Sequence, residues 1–301
     1  MNDSAISIGV ITLQQRTAGL TKLLKHLIPI AENHQGDIEI VIVNNSGQSA
    51  HSEISGTIDG SGIARVCPVN LVDSPENNIA VARNLLLDHS RHDLLAFLDD
   101  DEYPVVQWLD SLLHMMNTCD ATVVAGPVPA VFHESAPSWV HTVDLHNTRG
   151  RENAQIIEHT GTGNVLINKT RIGGLRFDES FGKSGGSDTD FFIRVRENGG
   201  LIYWANDAIA YEDIPETRSS ASYLIHRFIK QGENYRRISS ERDNASSPLL
   251  FSSKAIAVVL ISMPIAALMV LTKRPQAGDW VKRAFSNYGK LHSPKKQLYA
   301  S

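Results

Sequence analysis

The stretch Leu94-Leu95-Ala96-Phe97-Leu98-Asp99-Asp100-Asp101 decides the fold, because an apolar run leads directly into three consecutive aspartates. A short apolar run of this kind is typical of a buried strand. Open α/β folds bind ligands at the carboxyl ends of such strands, and carboxylate oxygens there suit a divalent cation that holds a phosphorylated substrate. An isolated acidic triplet is also consistent with a solvated turn, so the rest of the sequence has to distinguish the two interpretations.

Short apolar runs alternate with segments of helical periodicity through the first 125 residues. Strands are predicted at residues 6–12, 38–43, 63–69, 94–98 and 121–125. Helices are predicted at residues 79–89 and on two further apolar faces, formed by Leu20, Leu23, Leu24, Leu27 and Ile28 and by Val106, Leu109, Leu112, Leu113 and Met116. This order predicts an α/β protein with a Rossmann-like, mostly parallel central sheet flanked by helices.

The rhythm changes after residue 125. Residues 126–163 are irregular and rich in Pro, His and Gly, which is typical of a segment that shapes a binding site. A strand is predicted at 164–167, followed by a Gly-rich loop and a helix that ends near Gly199, with Ser187 or Asp188 as its N-cap. A further strand at 201–204 and a helix at 223–236 complete this part.

The C-terminal part contains an uncharged segment, Ala255 to Thr272, flanked by Lys254 and Lys273-Arg274. A helix of this length spans about 27 Å, which is marginal against a hydrocarbon core of about 30 Å. Positive charge on both flanks favours two cytoplasmic ends, and Pro264 favours a bend, so we predict a peripheral or re-entrant segment. A buried core helix is the alternative. The basic residues that follow favour an anionic membrane surface.

Composition excludes several classes of protein. A net charge of -5 lacks the basic surface that nucleic acid requires, so no nucleic-acid partner is expected. Cys67 and Cys119 are far apart and indicate neither a disulfide framework nor a structural zinc site. Residues 1–5 carry none of the features of a signal peptide, which predicts that the main body stays in the cytoplasm.

The aspartates divide by strand geometry. Side chains alternate between the faces of a strand, so we expect Asp99 and Asp101 on one side and Asp100 on the other. A second acidic pair, Asp188 and Asp190, lies beyond the Gly-rich loop at a predicted helix N-terminus, where the helix dipole favours ionised carboxylates. By itself this second pair is also consistent with helix capping.

Five segments over about residues 6–215 share an order and spacing with one family: Ile8–Thr12, Val41–Ser46, Asn78–Asn84, Phe97–Glu102 with the following Pro104 and Trp108-Leu109, and Gly185–Phe192. Together they resemble the GT-A-fold glycosyltransferases of family 2, which are inverting enzymes that use nucleotide sugars. The stretches 96–102 and 182–186 are most similar to bacterial succinoglycan-type exopolysaccharide glucosyltransferases. A single such motif is weak, whereas the ordered set is specific.

The resemblance implies a division of the chain by role. Residues 1–125 are expected to bind the nucleotide sugar, residues 126–244 to bind the acceptor and carry the catalytic base, and residues 245–301 to form a helical membrane-associating tail. The implied activity is inverting transfer of a hexose, glucose from UDP-glucose, to a lipid-linked oligosaccharide or polysaccharide acceptor. This reaction serves exopolysaccharide or cell-surface glycan synthesis at the cytoplasmic face of the inner (plasma) membrane.

The resemblance also implies roles for individual residues. Asp188 matches the position of the catalytic base, and Asp101 with Asp99 matches the ligands of Mg²⁺ or Mn²⁺. The nucleotide sugar is expected to meet the residues Thr12, Asn44, Asn45, Arg83, Asp99 and Asp100. Asp100 supports the ribose or the turn, Arg83 pairs with a phosphate or the acidic cluster, and the amide oxygen of Asn44 or Asn45 accepts the uracil N–H.

Three departures from the family pattern keep alternatives open. Ser187 replaces the Glu that commonly precedes the base, Asn44 stands where Asp is frequent, and Tyr211-Glu212-Asp213 replaces a His that can complete the metal site. Asp101, the diphosphate and water would then coordinate a metal ion, with Glu212 as a further candidate ligand. One alternative function is a non-catalytic, membrane-attached nucleotide-sugar binder. Another is a nucleotidyltransferase on a similar sheet, although residues 12–16 lack its Gly-rich phosphate loop.

Overall fold

The computed structural model describes residues 4–183, 185–241 and 248–292. The chain forms two compact units, one from residues 1–129 and 146–212 and the other from residues 130–145 and 213–301. This division is based on contacts between residues. The three-part division expected from the sequence is based on the expected role of each part, and it stays a prediction.

Eleven strands are described, namely β1 (Ile6–Thr12), β2 (Ile38–Asn44), β3 (Val69–Asp73), β4 (Leu94–Asp99), β5 (Glu102–Pro104), β6 (Val123–Ala125), β7 (Ala130–Phe132), β8 (Ile156–Ile157), β9 (Asn164–Asn168), β10 (Ile202–Trp204) and β11 (Ala210–Ile214). Eight α-helices accompany them in the described residues, namely α1 (Thr17–Asn33), α2 (His51–Ser61), α3 (Ile79–His89), α4 (Trp108–Thr118), α5 (Ser187–Glu197), α6 (Ala221–Glu241), α7 (Pro248–Leu271) and α8 (Ala277–Gly289).

The first unit is built around an eight-stranded sheet of order β3-β2-β1-β4-β9-β6-β10-β8. The four strands from β3 to β4 are mutually parallel, and β10 is parallel to β6. The strand β9 runs antiparallel between β4 and β6, and β8 pairs antiparallel with β10. The predicted mostly parallel, Rossmann-like sheet is therefore confirmed.

Helices cover both faces of this sheet, as the continuous apolar strands require. In β2, Ile40 and Ile42 pack on the face that is covered by α1, α2 and α4. Val41 and Val43 pack on the opposite face, which is covered by α3 and α5. Because all four of these side chains are fully buried, the sheet is packed tightly on both faces and supports the residues at its carboxyl edge.

The parallel register brings the carboxyl ends of four strands to one edge. Thr12 lies opposite Asn44, and Asn44 lies opposite Asp73. Ile11, the residue before Thr12, lies opposite Asp99. Polar residues separated by up to 87 positions along the chain thus meet at the edge where open α/β sheets bind ligands.

The structure corrects the third predicted strand and the apolar helix face that was predicted to include Val106. The third strand begins at Val69 and not at Ile63, because Pro68 has no N–H and the preceding backbone closes turns, with the Cys67 N–H donating to the Ile63 carbonyl at 3.2 Å. Val106 is 54% exposed and lies ahead of α4, so it is not part of the buried face of that helix. The fully buried Trp108 begins the helix instead.

The second unit consists mainly of α6, α7 and α8. Its small core combines residues of the 130–145 segment with the end of β11 and residues of the helices, namely Phe132, Val140, Val143, Leu145, Ile214, Leu224, Phe228, Ala266 and Val281. Glycine permits close approach of α6 and α8, since a Cβ on Gly232 would lie 1.9 Å from the Ser286 carbonyl oxygen. One helical stretch in the described residues, Phe251–Leu271, is long and apolar enough to cross a membrane.

Candidate active site

The acidic triplet forms the centre of the edge, but its three residues differ in environment. The strand β4 ends at Asp99, and Asp100 and Asp101 lie in the turn that follows, so strand alternation does not govern them. Asp100 is buried, accepting hydrogen bonds from the Thr12 hydroxyl at 2.7 Å and from Arg16 at 2.8 Å. Arg16 also pairs with Asp101 at 3.2 Å. Thr12 and Asp100 therefore tie the end of β1 to the acidic turn.

Negative charge is in excess around Asp99. Desolvation by the surrounding protein and repulsion from Asp101 raise the pKa of Asp99 to about 7, although the Arg83 cation opposes this shift. Burial, together with Asp99 and Glu212, raises the pKa of Glu102 well above its usual value. A cluster of carboxylates that resist simultaneous ionisation is an environment that a bound cation would stabilise.

Two further buried carboxylates come from a second strand pair. The antiparallel pairing of β5 with β11 places Glu102 opposite Glu212, and both are almost fully buried. The Asp99 N–H donates to Glu102 at 3.2 Å. The Nε2 atom of His146 lies 2.6 Å from a Glu212 oxygen. The sequence raised Glu212 as an accessory ligand, but it did not indicate Glu102 or the contact with His146.

Tyr211, which replaces the frequent histidine of the family, is directed elsewhere. It lies opposite Tyr103 in the β5–β11 pairing, and the two rings stack with their centroids 5.7 Å apart. The Lys22 ammonium lies 3.3 Å from the centroid of the Tyr103 ring. Because neighbouring residues of a strand face opposite sides, Tyr211 packs in this stack while Glu212 faces the acidic cluster.

Arg83 links the acidic cluster to the helix that carries the predicted base. Its guanidinium donates to the Ser187 hydroxyl at 2.6 Å and lies 5.5 Å from the centroid of the Phe177 ring. The side chain is buried, and its Nε has no hydrogen-bond partner among the described residues. The Arg83 cation opposes the rise that burial causes in the pKa of Asp99 in the acidic cluster, which is one of its two predicted partners, and its pairing with a phosphate stays a prediction.

Replacing Ser187 with alanine should destabilise the protein by about 1–3 kcal/mol, because a buried guanidinium would lose a hydrogen-bond acceptor. Chemical denaturation measures this change, and the exposed Ser180→Ala variant is the matched control. Restoration of stability by Ser187→Thr would identify the hydroxyl as the relevant group. Unchanged stability of Ser187→Ala would contradict a role for this hydrogen bond.

Glycine places Asp188 at the start of α5. Gly185 and Gly186 have φ of 85° and 96°, a left-handed conformation that glycine adopts readily. Gly186 is the N-cap and the helix begins at Ser187, so the prediction that Ser187 or Asp188 caps the helix is wrong. Asp188 accepts a hydrogen bond from the Thr189 N–H at 2.8 Å through Oδ1.

The neighbouring Asp190 has a structural partner. Arg194, one turn later, pairs with its Oδ2 through Nε at 2.8 Å and Nη2 at 2.7 Å. Both side chains are largely buried, so this pair stabilises α5 itself. The sequence favours a loop or helix-cap role for Asp190 over that of the base, and its role in catalysis stays a prediction.

One short segment borders both acidic groups. A Cβ on Gly161 would lie 3.5 Å from Oδ2 of Asp188. A Cβ on Gly163 would lie 2.2 Å from Oε1 of Glu102 and 3.4 Å from Oδ2 of Asp99. The backbone of residues 161–163 therefore joins the predicted base to the carboxylate cluster. The sequence predicted that residues 126–163 shape a binding site, but it did not indicate the close contacts of Gly161 and Gly163, for which the Gly-Thr-Gly pattern ahead of a predicted strand is a usable signal.

A Gly163→Ala substitution should destabilise the protein by about 1–3 kcal/mol, because the added methyl group meets the buried Glu102 carboxylate. We also expect loss of transferase activity, since Glu102 supports the Asp99 backbone. Chemical denaturation and UDP release measure the two effects. The control is Gly56→Ala, whose new Cβ has no neighbour within 4 Å. Equal behaviour of the two variants would show that this close approach is unimportant.

The predicted uracil-binding amides lie at the same edge, but other groups of the chain already engage them. Asn44 accepts a hydrogen bond from the Ser46 N–H at 2.9 Å and donates to Asp73 at 2.7 Å. The amide oxygen of Asn45 accepts the Asn78 N–H at 3.1 Å. Uracil recognition by Asn44 or Asn45 stays a prediction, and Asp73 is a polar group at this edge that the sequence did not indicate.

Comparison with known proteins assigns the family. The sequence model of Glycosyl transferase family 2 matches residues 7–178, which is more than half of the chain. The chain belongs to glycosyltransferase family 2. The matched region contains β1 to β4, the acidic triplet and Arg83, whereas Asp188 lies beyond its end.

Relatives and structural neighbours of this family 2 glycosyltransferase agree with that assignment. It is 33% identical over 239 residues to the succinoglycan biosynthesis protein ExoM of Rhizobium meliloti (strain 1021), covering 79% of this chain and 76% of that protein. The structure of S. aureus TarS 1-349 in complex with UDP-GlcNAc has a TM-score of 0.52 and 14% identity, covering 94% of this chain and 91% of that one. The complex of TarS 1-349 with UDP has a TM-score of 0.51 and 13% identity, covering 97% and 93%. The predicted GT-A fold is confirmed.

The donor atoms of the acidic edge fit a divalent metal, which enzymes of this family generally use. No group of three or more His, Cys, Asp or Glu side chains is arranged to hold a metal within the described part of the chain. Magnesium is commonly held by one or two carboxylates together with substrate phosphates, and manganese accepts the same hard oxygen ligands. Asp101 and Asp99 supply such oxygens, and the excess negative charge around them favours a cation.

Proposed function

We propose that this glycosyltransferase transfers a hexose with inversion, glucose from UDP-glucose, to a lipid-linked oligosaccharide or polysaccharide acceptor. The product belongs to exopolysaccharide or cell-surface glycan synthesis at the cytoplasmic face of the membrane. The observation that carries the proposal is the Gly161–Gly163 backbone, which borders Asp188 on one side and the Asp99 and Glu102 carboxylates on the other. A base and a cation-binding cluster on opposite ends of one short segment suit an in-line displacement.

Inverting transfer is a single displacement at the anomeric carbon. The acceptor oxygen forms a bond to this carbon while the bond to the β-phosphate oxygen breaks, and its electron pair leaves with UDP. Asp188 takes the proton of the attacking hydroxyl, a role that contributes about 10²- to 10⁴-fold to the rate. Arg83 and Ser187 hold the start of α5 beside the acidic cluster, so the base keeps a fixed position relative to the donor.

The diphosphate requires positive charge at the acidic edge. Asp101 and Asp99 would hold Mg²⁺ or Mn²⁺, which would neutralise charge on the departing UDP. Arg16 is paired with Asp100 and Asp101 and thereby fixes the turn that follows Asp99 and carries Asp101. Thr12 fixes the same turn from β1.

The comparisons support the substrate classes. A neighbour of the same fold was solved with UDP-GlcNAc, which supports a UDP-sugar donor for this chain. The relative with 33% identity is named for succinoglycan biosynthesis, which supports a growing glycan as acceptor. The apolar stretch Phe251–Leu271 supports membrane association, as a lipid-linked acceptor would require.

The test is release of UDP from a panel of UDP-sugars in the presence of Mn²⁺ and a lipid-linked glycan extract. We expect acceptor-dependent release that is greatest with UDP-glucose. Binding of UDP-sugars without turnover of any donor would favour the non-catalytic binder. Release of pyrophosphate from a nucleoside triphosphate would favour a nucleotidyltransferase. Greater turnover of another UDP-hexose would correct the donor and leave the reaction class intact.

A further inference from the structure

We propose that α7 lies in the plane of an anionic membrane, immersed in one leaflet, with both of its ends on the same side. This inference refines the membrane association in the proposed function. It excludes a transmembrane crossing, which the length and hydropathy of α7 would otherwise permit.

The helix α7 exposes a broad apolar face. Between Phe251 and Leu271 the mean hydropathy is 2.3, and only 17% of the stretch is buried within the protein. The large exposed side chains are Ile256, Leu260, Ile261, Leu268 and Leu271, with exposures of 46–81%. A surface of this kind marks a site of interaction, and a helix buried in the core of a soluble protein would not show it.

The other face of α7 is a narrow strip of small residues. Ala255, Ser262 and Ala266 are buried there, while Leu260 and Leu268 point away from them. Ser262 donates to the Val258 carbonyl within the helix at 2.6 Å, which satisfies its hydroxyl. Small residues allow α8 to pack closely along α7. The helix α7 therefore has a narrow face that packs against the protein and a wider apolar face that is suited to lipid.

Contact between α6 and α8 is incompatible with a position of the two ends of α7 on opposite sides of the membrane. The helix α6 precedes α7, α8 follows it, and both pack in the same unit. Gly232 of α6 and Gly289 of α8 make backbone contacts, since a Cβ on Gly289 would lie 2.1 Å from the Ile229 carbonyl oxygen. A crossing by α7 would place α6 and α8 on opposite sides of the bilayer and break this contact.

Charged groups on α8 give a second argument against a crossing. Lys282 donates to the carbonyls of Asp144 and Leu145 at 2.5 and 2.9 Å, and Arg283 is exposed. Because α8 lies along α7, a crossing would draw these cations to the depth of the hydrocarbon core, where charge is costly. An in-plane position keeps them at the level of the lipid headgroups.

The charge balance favours anionic lipid over neutral lipid. The sequence from residue 221 to residue 292 contains eleven Lys and Arg residues against four acidic residues, Glu233, Glu241, Asp243 and Asp279. Lys254 and Lys273-Arg274 are exposed at the two ends of the apolar face. A polybasic segment beside an apolar helix face is attracted to an anionic lipid surface.

Vesicle flotation tests binding of the full chain. We expect it to float with phosphatidylcholine–phosphatidylglycerol vesicles and less with phosphatidylcholine alone. The Leu260→Glu/Leu268→Glu variant should lower the partition coefficient by at least about a hundredfold, and Val106→Glu, an exposed site of the first unit, should not. Failure to float, or flotation of the double variant, would overturn the proposal, as would a soluble dimer that covers this face. Binding of UDP-sugar by the same samples reports separately on the proposed enzymatic function.

Labelling of the helix ends tests the orientation. Ser253→Cys and Thr272→Cys place a thiol at each end of α7, and the parent chain with Cys67 and Cys119 gives the background. A membrane-impermeant thiol reagent should label both variants in inside-out membrane vesicles and neither in intact cells. Labelling of one end from each side of the membrane would overturn the in-plane arrangement and support a crossing.

Discussion

Replacing Asp188 with asparagine is expected to lower kcat for sugar transfer by about 10²- to 10⁴-fold, which is the usual contribution of a general base. Asparagine keeps the size of the side chain and can still accept the Thr189 N–H, but it cannot take a proton from the acceptor. The KM for the UDP-sugar should change little, because the base acts on the acceptor. Steady-state kinetics with UDP release, together with a denaturation curve, separates lost chemistry from lost structure.

The matched control lies two residues further along the same helix. Asp190 pairs with Arg194, so Asp190→Asn should lower stability while kcat for folded protein stays within a few-fold of the parent value. Full transfer by Asp188→Asn together with loss of transfer by Asp190→Asn would reverse the assignment of the base. Loss of activity in both variants without any loss of stability would indicate that the two carboxylates act together.

Replacing Asp101 with asparagine should weaken metal-dependent binding of UDP by at least about a hundredfold, since a metal ion stabilises charge by several kcal/mol. Asparagine removes the negative charge of a proposed metal ligand and also weakens the contact with Arg16. Electron paramagnetic resonance of Mn²⁺, titrated with and without UDP, measures metal affinity independently of turnover. The dependence of kcat on Mn²⁺ concentration gives the catalytic counterpart.

Asp100→Asn is the control for this experiment. Asp100 is buried and bonded to Thr12 and Arg16, so its replacement should lower the free energy of unfolding more than the affinity for Mn²⁺. Unchanged Mn²⁺ affinity in Asp101→Asn would contradict the metal assignment. A large loss of affinity confined to Asp100→Asn would show that the buried aspartate dominates the site.

Local patterns were sufficient for most of the sheet and for the family. The strand β4 is a continuous apolar run up to Asp99, and β2 is apolar apart from Glu39 and its last residue. The helix α3 has a side-chain N-cap, with Asn78 accepting the Ala80 and Val81 N–H groups. The error at residues 63–69 arose because a buried Ile63 in a turn resembles one in a strand. The helix α2 was missed because only Ile54, Ile58 and Ser61 of its residues are buried.

The candidate site was only partly predictable. Asp99, Asp101 and Asp188 followed from acidic motifs, and their proposed roles remain to be tested. The Glu102–Glu212 pair depends on the pairing of strands about 110 residues apart, for which the local sequence has no signal. The contact between His146 and Glu212 depends on the path of an irregular segment, which has no periodicity to follow.

The sequence by itself determined the class of sheet, the family, and the presence of an acidic cluster at the carboxyl end of β4, because periodicity and motif order are local properties. Only the tertiary structure decided which carboxylates interact with other groups of the chain. It turns Asp100 inward to Thr12 and Arg16, brings Glu102 and Glu212 beside Asp99, and aligns Gly161 with Asp188. These relations depend on strand register and on close backbone approach, which arise from contacts between residues that are distant in the chain.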